Sequence, residues 1–389
     1  MLKAIKVRLY PNAEQEKALA FQFGAVRWVY NFALEWRRKA WTETGERVTR
    51  RMTLDRLVEL KAAEETKWLR DADSQALQQA MIHLDDAFGR FFGKQGRHPR
   101  FKNRHGRQSM SYPQRVKVVD GCSLYLPKVG TVRAVLHREI AGRIKTVTVS
   151  CARTGKSHAS ILVDVGQPVP EPATSIDADR VVGLDMGIAH LVSASSGGKV
   201  DNPRFVTRAA ANLRRKQKAL SRKRSGSANR GKARALVARA HERTTNARND
   251  FQHKLSRRLI DENQAVCVET LKVGNMLGNR KLARHIADAA WGALVRKLAY
   301  KAEWSGRHLV RIDQWFASSK TCSRCGSGVG DMPLSLRHWT CRTCGREHDR
   351  DINAARNIRW QGILKMKAEG LSVSACGGSR KSDTLSAAA

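Results

Sequence analysis

The spacing of hydrophobic residues divides the chain into segments with different predicted secondary structure. Apolar and basic side chains alternate over residues 1–10, as they do in a half-buried β-strand. A proline ends this strand, and Asn12 with Gln15 predicts a capping box at the start of a long helix over about 13–40. A second apolar stripe predicts a helix over about 73–93, which is followed by a basic loop.

The pattern changes over residues 111–165. This segment contains short runs of β-branched residues that are broken by glycine or proline, which predicts an antiparallel barrel or sheet. The strand at 1–10 would have to join that sheet, so residues 11–105 would form a helical insertion. The proline-rich residues 168–175 predict a linker to the rest of the chain.

Beyond the linker, two buried strands each end in an acidic residue. VVGLDMG carries Asp185 and AVCVET carries Glu269. Two consecutive glycines at 197–198 suggest a hairpin after the first of these strands, and residues 308–314 predict a further strand. From about residue 368 the chain is rich in glycine, serine and alanine, which predicts a disordered tail over 368–389.

Charge points to a polyanionic partner. The 389 residues include 72 Lys and Arg against 35 Asp and Glu, which gives a net charge of +37 and favours nucleic acid as that partner. No apolar run approaches the roughly 18 residues of a spanning helix, and the N-terminus lacks the pattern of a signal peptide. We therefore expect a soluble, cytoplasmic protein with no membrane partner.

Much of the positive charge lies in residues 208–258, which hold 17 Lys and Arg against two acidic residues. Apolar positions are sparse there, so we expect a pair of exposed basic helices that contact phosphates. The residues that we expect to bind nucleic acid in this segment are Arg214, Arg215, Lys216, Arg222, Lys223 and Arg224.

Two CxxC pairs, separated by 15 residues, have the spacing of a four-cysteine zinc ribbon. The expected ligands of one Zn²⁺ ion are Cys322, Cys325, Cys341 and Cys344. Four sulfur ligands close the coordination sphere, so the ion is expected to fold about 25 residues rather than to activate water.

Carboxylates form the second candidate site. Asp185, Glu269 and an aspartate at the start of a late helix follow the order expected of an RNase H-like nuclease, in which two Mg²⁺ ions bind the attacking and leaving oxygens of a phosphodiester. Asp349 and Asp351 both fit the third position. One could be the ligand, and the other a helix cap or a partner of Arg350.

Several blocks of this sequence resemble the signature segments of the TnpB family, the OrfB proteins of insertion sequences. The blocks are VVGLDMGIAHLVSASSG, AVCVETLKVGNM, FASSKTCSRCG and WTCRTCGREHDRDINAARNI. Segments of the N-terminal half and of the basic helices are also similar, so the resemblance covers roughly residues 1–365.

This resemblance implies a domain organisation. It places a β-barrel (WED) domain at 1–10 and 106–170, a helical (REC) insertion at 11–105, an α/β RNase H-like (RuvC) nuclease domain at 171–320 and 346–367, and a zinc ribbon at 321–345. The implied activity is that of an RNA-guided DNA endonuclease, with a guide RNA from the transposon end and double-stranded target DNA as partners.

The resemblance also assigns roles to individual residues. It implies a Mg²⁺-binding catalytic triad of Asp185, Glu269 and Asp351, so Asp349 becomes a neighbour of the triad. Gln78 matches a family position that contacts the motif beside the target, and Ser74 lies nearby. Base-edge contacts there would carry specificity for that motif.

The sequence is also compatible with two other functions. The protein could be a regulator that binds RNA or DNA without cutting it, in which case the carboxylates would be structural. It could also be a DDE-type transposase, because such enzymes use an RNase H-like triad as well.

Overall fold

The computed structural model describes residues 1–330, 332–333 and 335–374. The chain divides into two compact units, Met1–Pro168 and Val169–Ala389. The division falls at the start of the linker predicted from the proline-rich segment. No helix in the described part of the chain is long and apolar enough to cross a membrane.

A seven-stranded antiparallel sheet forms part of the first unit. Its strands are β1 (Leu2–Tyr10), β2 (Gln108–Tyr112), β3 (Lys117–Val119), β4 (Ser123–Leu126), β5 (Gly130–Val135), β6 (Arg143–Cys151) and β7 (Ser157–Asp164), in the order β2-β6-β7-β1-β5-β4-β3. As predicted, β1 joins the sheet, where it pairs with β7 and β5. No pairing among the described residues joins β2 to β3, so closure into a barrel stays a prediction.

Helices fill the interval between β1 and β2. They are α1 (Ala13–Thr44), α2 (Arg50–Ala62), a 3-10 helix (Glu64–Asp71) and α3 (Ser74–Phe92). The predicted capping box of α1 is confirmed, since the side chains of Asn12 and Gln15 each accept a hydrogen bond from the backbone N–H of the other. Buried side chains of α1 and α3 belong to the same hydrophobic core as those of the sheet, so helices and sheet form one body.

The second unit contains a five-stranded mixed sheet. The strands of this unit are β8 (Ser175–Asp177), β9 (Val181–Asp185), β10 (His190–Ala194), β11 (Lys199–Asp201), β12 (Ala265–Val268), β13 (His308–Arg311), β14 (His338–Thr340), β15 (Glu347–Asp349) and β16 (Ser372–Ser374). The sheet order is β11-β10-β9-β12-β13. Strands β9, β12 and β13 are parallel, whereas β10 and β11 form the predicted antiparallel hairpin.

Hydrophobic side chains cover both faces of this sheet. The helices are α4 (Phe205–Ser221), α5 (Ala228–Glu262), α6 (Val273–Met276), α7 (Ala283–Ala289), α8 (Trp291–Trp304) and α9 (Arg350–Ala368). Because side chains alternate along a strand, Val266 and Val268 join a core with α5 and α8, whereas Ala265 and Cys267 join another core with α9. Burial on both faces explains why β12 has a continuous apolar sequence.

The prediction of two exposed basic helices holds for α4 and is wrong for the end of α5. No residue of α4 is buried. At the end of the predicted segment, however, Gln252, Leu255 and Ser256 of α5 are buried, and Leu255 belongs to the core with α8. The exposed basic surface therefore consists of α4, the turn after it and the first part of α5.

The predicted disordered tail begins too early. Residues Ser372–Ser374 form β16, which pairs in parallel with β8. Pairing with β8 thus gives regular structure to residues whose composition predicted disorder. The remaining part of the predicted tail, 375–389, lies outside the described residues.

Helix α9 approaches the sheet unusually closely at two glycines. A Cβ atom on Gly183 of β9 would lie 2.1 Å from the carbonyl oxygen of Ala355 and 2.4 Å from the backbone nitrogen of Arg359. A Cβ atom on Gly362 of α9 would lie 2.1 Å from Sγ of Cys267 in β12. Glycine at these positions therefore sets the distance between the helix and the sheet, and with it the position of the start of α9.

We expect Gly183→Ala to lower the free energy of unfolding of the second unit by about 1–3 kcal/mol. The added methyl group would meet backbone atoms, which cannot rotate away. Thermal unfolding followed by calorimetry measures this loss. Gly231→Ala is the matched control, because Gly231 lies in α5 with nothing within 4 Å of its Cβ position. That exchange should stabilise the helix by about 0.5–1 kcal/mol, and equal effects of the two variants would contradict the steric argument.

Candidate functional site

The four cysteines of the CxxC pairs converge in the segment between β13 and α9. Each pair lies in a tight turn that ends in a glycine with positive φ, Gly326 (φ 77°) after the first pair and Gly345 (φ 67°) after the second. The N–H of each glycine donates to the carbonyl oxygen of the first cysteine of its pair. Two similar turns thus present two thiols each to a common point.

The distances between the sulfur atoms fit a tetrahedral thiolate site. All four Sγ atoms lie within 4.8 Å of one another. The separation is 3.7 Å between Cys322 and Cys344 and 3.7 Å between Cys325 and Cys341. Tetrahedral Zn–S bonds of about 2.3 Å require sulfur atoms about 3.8 Å apart. The donor set and its spacing therefore fit a structural metal ion, and zinc in particular.

A histidine beside this cluster was not identified from the sequence. His348 of β15 is buried, and its Nε2 lies 3.0 Å from Sγ of Cys322. Its ring packs on Trp339 of β14 with the ring centroids 4.7 Å apart. Burial and the charges of Arg346 and Arg356 lower the pKa of His348, so the neutral ring is suited to donate one N–H to the sulfur.

The first two carboxylates of the predicted triad lie side by side. Asp185 is the last residue of β9, and Glu269 directly follows β12. These strands are parallel neighbours in which Leu184 pairs with Val268, so the next residue on each strand emerges at the same edge of the sheet. Ser318 donates a hydrogen bond of 2.7 Å to Oε1 of Glu269 and holds that side chain in place.

At the start of α9 the structure separates the two competing aspartates. Asp349 is the N-cap, whose Oδ1 accepts from the backbone N–H groups of Asp351 and Ile352, and it also forms an ion pair of 2.7 Å with Lys199. The side chain of Arg350 instead donates to backbone carbonyl groups. Asp351 lies in the first turn of α9, and its partner is Arg337, at 3.3 Å.

The pKa values indicate that these negative charges converge. Burial, together with the negative charges of Glu269 and Asp351, raises the pKa of Asp185 to about 8. Burial also raises the pKa of Glu269, against the hydrogen bond from Ser318. Burial alone would raise the pKa of Asp349 too, but hydrogen bonds from Lys199 and from the backbone of Ile352 and Asp351 lower it. The cap is thus satisfied, whereas Asp185 lies among like charges that Arg350 and Arg337 offset only in part.

The carboxylates form a more open group than the thiols. Among the described residues, the four cysteines alone form a group of three or more potential ligands within 4.8 Å of one another. Glu269 and Asp351 are each close enough to Asp185 to raise its pKa, but the three carboxylates are spread more widely. Oxygen donors arranged in this way suit a hard cation, which would reduce their mutual repulsion.

The residues expected to bind nucleic acid are found on surfaces. Ser74 and Gln78 are exposed one turn apart on α3, and the hydroxyl of Ser74 accepts a hydrogen bond of 2.7 Å from Lys61. In the basic segment, all the expected contacts are exposed except Lys216, which is partly buried and donates to Asn212 at 2.6 Å. The exposed residues are Arg214, Arg215, Arg222, Lys223 and Arg224.

Substitution of His348 tests its contact with the cysteine cluster. We expect His348→Gln to lower the affinity for zinc about 10- to 100-fold. His348 contacts the proposed ligand Cys322, and the loss of such an outer-shell hydrogen bond weakens metal binding. Cys341→Ser should lose the bound ion. Zinc content measured during competition with a chelator gives both results. Cys122→Ser, at an exposed thiol of the first unit, should keep the wild-type affinity, and an unchanged affinity in His348→Gln would contradict the proposed contact.

The raised pKa of Asp185 predicts a pH-dependent effect in magnesium-free protein. The folded state binds this proton more tightly than the unfolded state, so the contribution to stability is complete below about pH 4 and is lost as the pH rises towards 8. Asp185→Asn stays neutral, so its melting temperature should exceed that of the wild type by a margin that grows from pH 5 to pH 8. Differential scanning fluorimetry measures this margin.

Asp179→Asn is the control for that experiment, because the side chain of Asp179 is 71% exposed on the same unit. A margin for Asp185→Asn that stays constant with pH, or one that Asp179→Asn reproduces, would contradict the assignment.

Three family models match the chain. The OrfB_IS605 model, described as "Probable transposase", matches residues 160–280. A Cas12f1-like TNB domain model matches residues 291–358, which include the four cysteines. A helix-turn-helix model of OrfB_IS605 proteins matches residues 1–46, where the structure has β1 followed by the single long helix α1.

Similar proteins cover nearly the whole chain. A protein of Streptomyces pristinaespiralis, named as a candidate RNA-guided DNA endonuclease, is 45% identical over 96% of this chain and 91% of its own length. An Escherichia coli (strain K12) protein with a similar name is 33% identical over 97% of this chain and 94% of its own. The solved structure of a Cas12f1–sgRNA–target DNA complex is similar in fold, with a TM-score of 0.56 at 13% identity, over 92% of this chain and 98% of the Cas12f1 chain. At these identities and coverages, the chain belongs to the TnpB family, the OrfB proteins of insertion sequences.

Proposed function

We propose that this protein is a transposon-encoded, RNA-guided DNA endonuclease. One observation carries the proposal: Glu269 and Asp351, from a parallel strand and a helix start, lie close enough to Asp185 that burial and their negative charges raise the pKa of Asp185 to about 8. Groups with strongly shifted pKa values are concentrated at functional sites. The names carried by the relatives from S. pristinaespiralis and E. coli support the same activity.

We propose that the three carboxylates bind magnesium. The residues that would hold it are Asp185, Glu269 and Asp351, whose oxygen atoms are the ligands that this hard cation prefers. Bound Mg²⁺ supplies an activated water and neutralises the charge that develops on a phosphodiester during hydrolysis. We assign the same three residues as the catalytic triad of a RuvC-like nuclease domain.

Neighbouring residues prepare this site. Ser318 fixes the orientation of Glu269 through its hydrogen bond, and Asp349 fixes the start of α9 through the cap and the ion pair with Lys199. Arg337 pairs with Asp351 and offsets part of the negative charge. Asp349 is thus a positioning residue, while Asp351 remains the candidate ligand.

The four-cysteine cluster is proposed to bind zinc in a structural role. Its four sulfur atoms are close enough to bind one tetrahedral ion together, which would leave no position for water or substrate. The ion would then stabilise the ribbon that precedes the third carboxylate.

Two surfaces are proposed to bind nucleic acid, one by contacts with phosphates and the other by contacts with bases. The exposed basic residues of α4 and the turn before α5 are proposed to hold the phosphate backbone, without reading sequence. Ser74 and Gln78, exposed on α3, are proposed to read the short motif beside the target. Pairing with a guide RNA from the transposon end would read the remaining target, as in other RNA-guided systems. The first unit would then correspond to the WED and REC parts.

Substitutions in the triad test the proposed activity. We expect Asp185→Ala and Glu269→Ala to abolish magnesium-dependent cleavage of target DNA by the purified ribonucleoprotein, because each removes a proposed metal ligand. RNA binding should be retained, since neither residue belongs to the basic surface of α4 and the turn after it. Gel analysis of the DNA and filter binding of the RNA provide the two measurements.

Asp349→Asn is the matched control, because asparagine also caps helices well and this residue is proposed only to position α9. It should retain cleavage, whereas Asp351→Asn should not. Continued cutting by both Asp185→Ala and Glu269→Ala would refute the active-site assignment. A wild-type protein that binds but never cuts would be a regulator, and strand-joined products would identify a transposase.

A further inference from the structure

Trp315 is the most exposed large hydrophobic side chain in the described part of the chain, with 80% of its surface accessible. It lies in the loop that leaves β13 for the zinc ribbon. Exposure of this extent leaves a large apolar area in water, which is unfavourable unless something covers that area. The next residue, Phe316, packs against the core formed with α9, so the loop does bury an aromatic side chain and Trp315 is the one left outside.

The loop that carries Trp315 is held in a defined conformation. The backbone N–H of Trp315 donates to Oδ1 of Asp313 at 2.6 Å, and the N–H of Ser318 donates to the carbonyl of Phe316 at 2.9 Å. Asn357 of α9 donates to the carbonyl oxygen of Ser318 at 2.8 Å. The exposed ring is therefore presented by a fixed backbone, which lowers the entropic cost of binding something against it.

The same loop is attached to the carboxylate site at two points. Ser318, three residues after Trp315, donates to Glu269. Thr270, the residue after Glu269, donates to the carbonyl oxygen of Ile312 at 2.7 Å. From the other side, the ammonium group of Lys272 lies over the Trp315 ring, 5.7 Å from its centroid. An exposed aromatic ring and an exposed cation are thus carried by two segments that are joined to each other and to Glu269.

We propose that Trp315 and Lys272 form a subsite for one nucleotide of a single-stranded nucleic acid next to the carboxylate site. A base stacks on the indole ring of Trp315, and the ammonium group of Lys272 binds a neighbouring phosphate. This inference rests on the proposed nuclease function in one respect, because it makes the subsite the place that holds the strand to be cut.

The chemistry of the subsite favours this occupant over a protein. Aromatic faces bind unpaired bases with little sequence preference, since every base has a π face, whereas the bases of a duplex are already stacked on one another. Lys272 supplies the positive charge that a phosphate needs, in a chain whose net charge is +37. A protein surface would have to match both the exposed ring and this charge.

Photocrosslinking identifies the residue that contacts the base. Full-length protein in magnesium-free buffer, which prevents cleavage and leaves zinc in place, is mixed with a single-stranded DNA that carries 5-iododeoxyuridine. After irradiation, mass spectrometry should locate the main adduct on Trp315. In parallel, fluorescence anisotropy should show that Trp315→Ala raises the dissociation constant about tenfold, which corresponds to about 1.4 kcal/mol, within the range for one stacked base.

Further variants separate stacking from simple apolar contact. Trp315→Phe keeps an aromatic face and should restore most of the affinity, whereas Trp315→Leu should not. Lys272→Gln should weaken binding about threefold and flatten its dependence on salt. Trp360→Ala is the matched control, since Trp360 is another exposed tryptophan of the second unit, at 57%, and this variant should bind as the wild type does.

The outcomes separate this inference from the proposed function. Adducts confined to other residues, together with wild-type affinity in Trp315→Ala, would overturn the subsite even if the protein still cuts DNA. A change in sedimentation of Trp315→Ala with unchanged DNA binding would likewise overturn it, in favour of a protein contact. Adducts on Trp315 in a protein that never cuts DNA would support the subsite and refute the nuclease.

Discussion

The close contact of α9 with the five-stranded sheet is the constraint on which the second unit depends. At Gly183 the backbone of the helix lies so near to β9 that a methyl group could not fit, and Gly362 makes a similar approach to Cys267 of β12. This contact brings the first turn of α9 towards the ends of both strands. Asp351 can therefore share one electrostatic environment with Asp185 and Glu269, although more than 80 residues separate each acid from the next along the chain.

The same helix holds the ribbon. Asn353 and Asn357, one turn apart on its buried side, donate to the carbonyl oxygen of Thr321 at 2.7 Å and 2.6 Å, and Asn353 also accepts from the N–H of Ser323. Two polar side chains in this position would be costly if unpaired, so their hydrogen bonds fix the start of the ribbon relative to α9. Packing and hydrogen bonding thus explain part of the sequence motif around Asp351, beside the catalytic role proposed for that residue.

Local patterns predicted the parts of this structure that local forces determine. The capping box of α1, the hairpin after β9 and the spacing of the cysteines each depend on residues near one another in the chain. The ends of β9 and β12 were predicted in the same way, because a continuous apolar run followed by an acidic residue can be recognised from the sequence alone. Spacing alone could not decide whether Asp349 or Asp351 is the third carboxylate of the triad. Both lie at the start of the helix, and they differ only in their partners in the folded protein.

Other features depend on contacts that no pattern encodes. His348 lies four residues after Cys344, but its contact with Cys322 arises from the pairing of β14 with β15. Burial at the end of α5 arises from α8, whose Lys301 donates to the carbonyl of His253 and to Ser256. The ordered residues before 375 depend on pairing with β8, nearly 200 residues away. In each case a partner that is distant in sequence decided the structure.

The position of the ribbon between β13 and α9 has a consequence for experiments with chelators. Through Arg337, Asn353 and Asn357, the segment that zinc is proposed to fold touches the helix that carries Asp351. Removal of divalent ions would then stop cleavage by two routes. Loss of magnesium would be reversed as soon as the ion returns, whereas loss of zinc would require the ribbon to refold. After dialysis, the recovery of cleavage could be followed over time with each ion added back separately. This would distinguish loss of the proposed magnesium from unfolding of the proposed zinc ribbon.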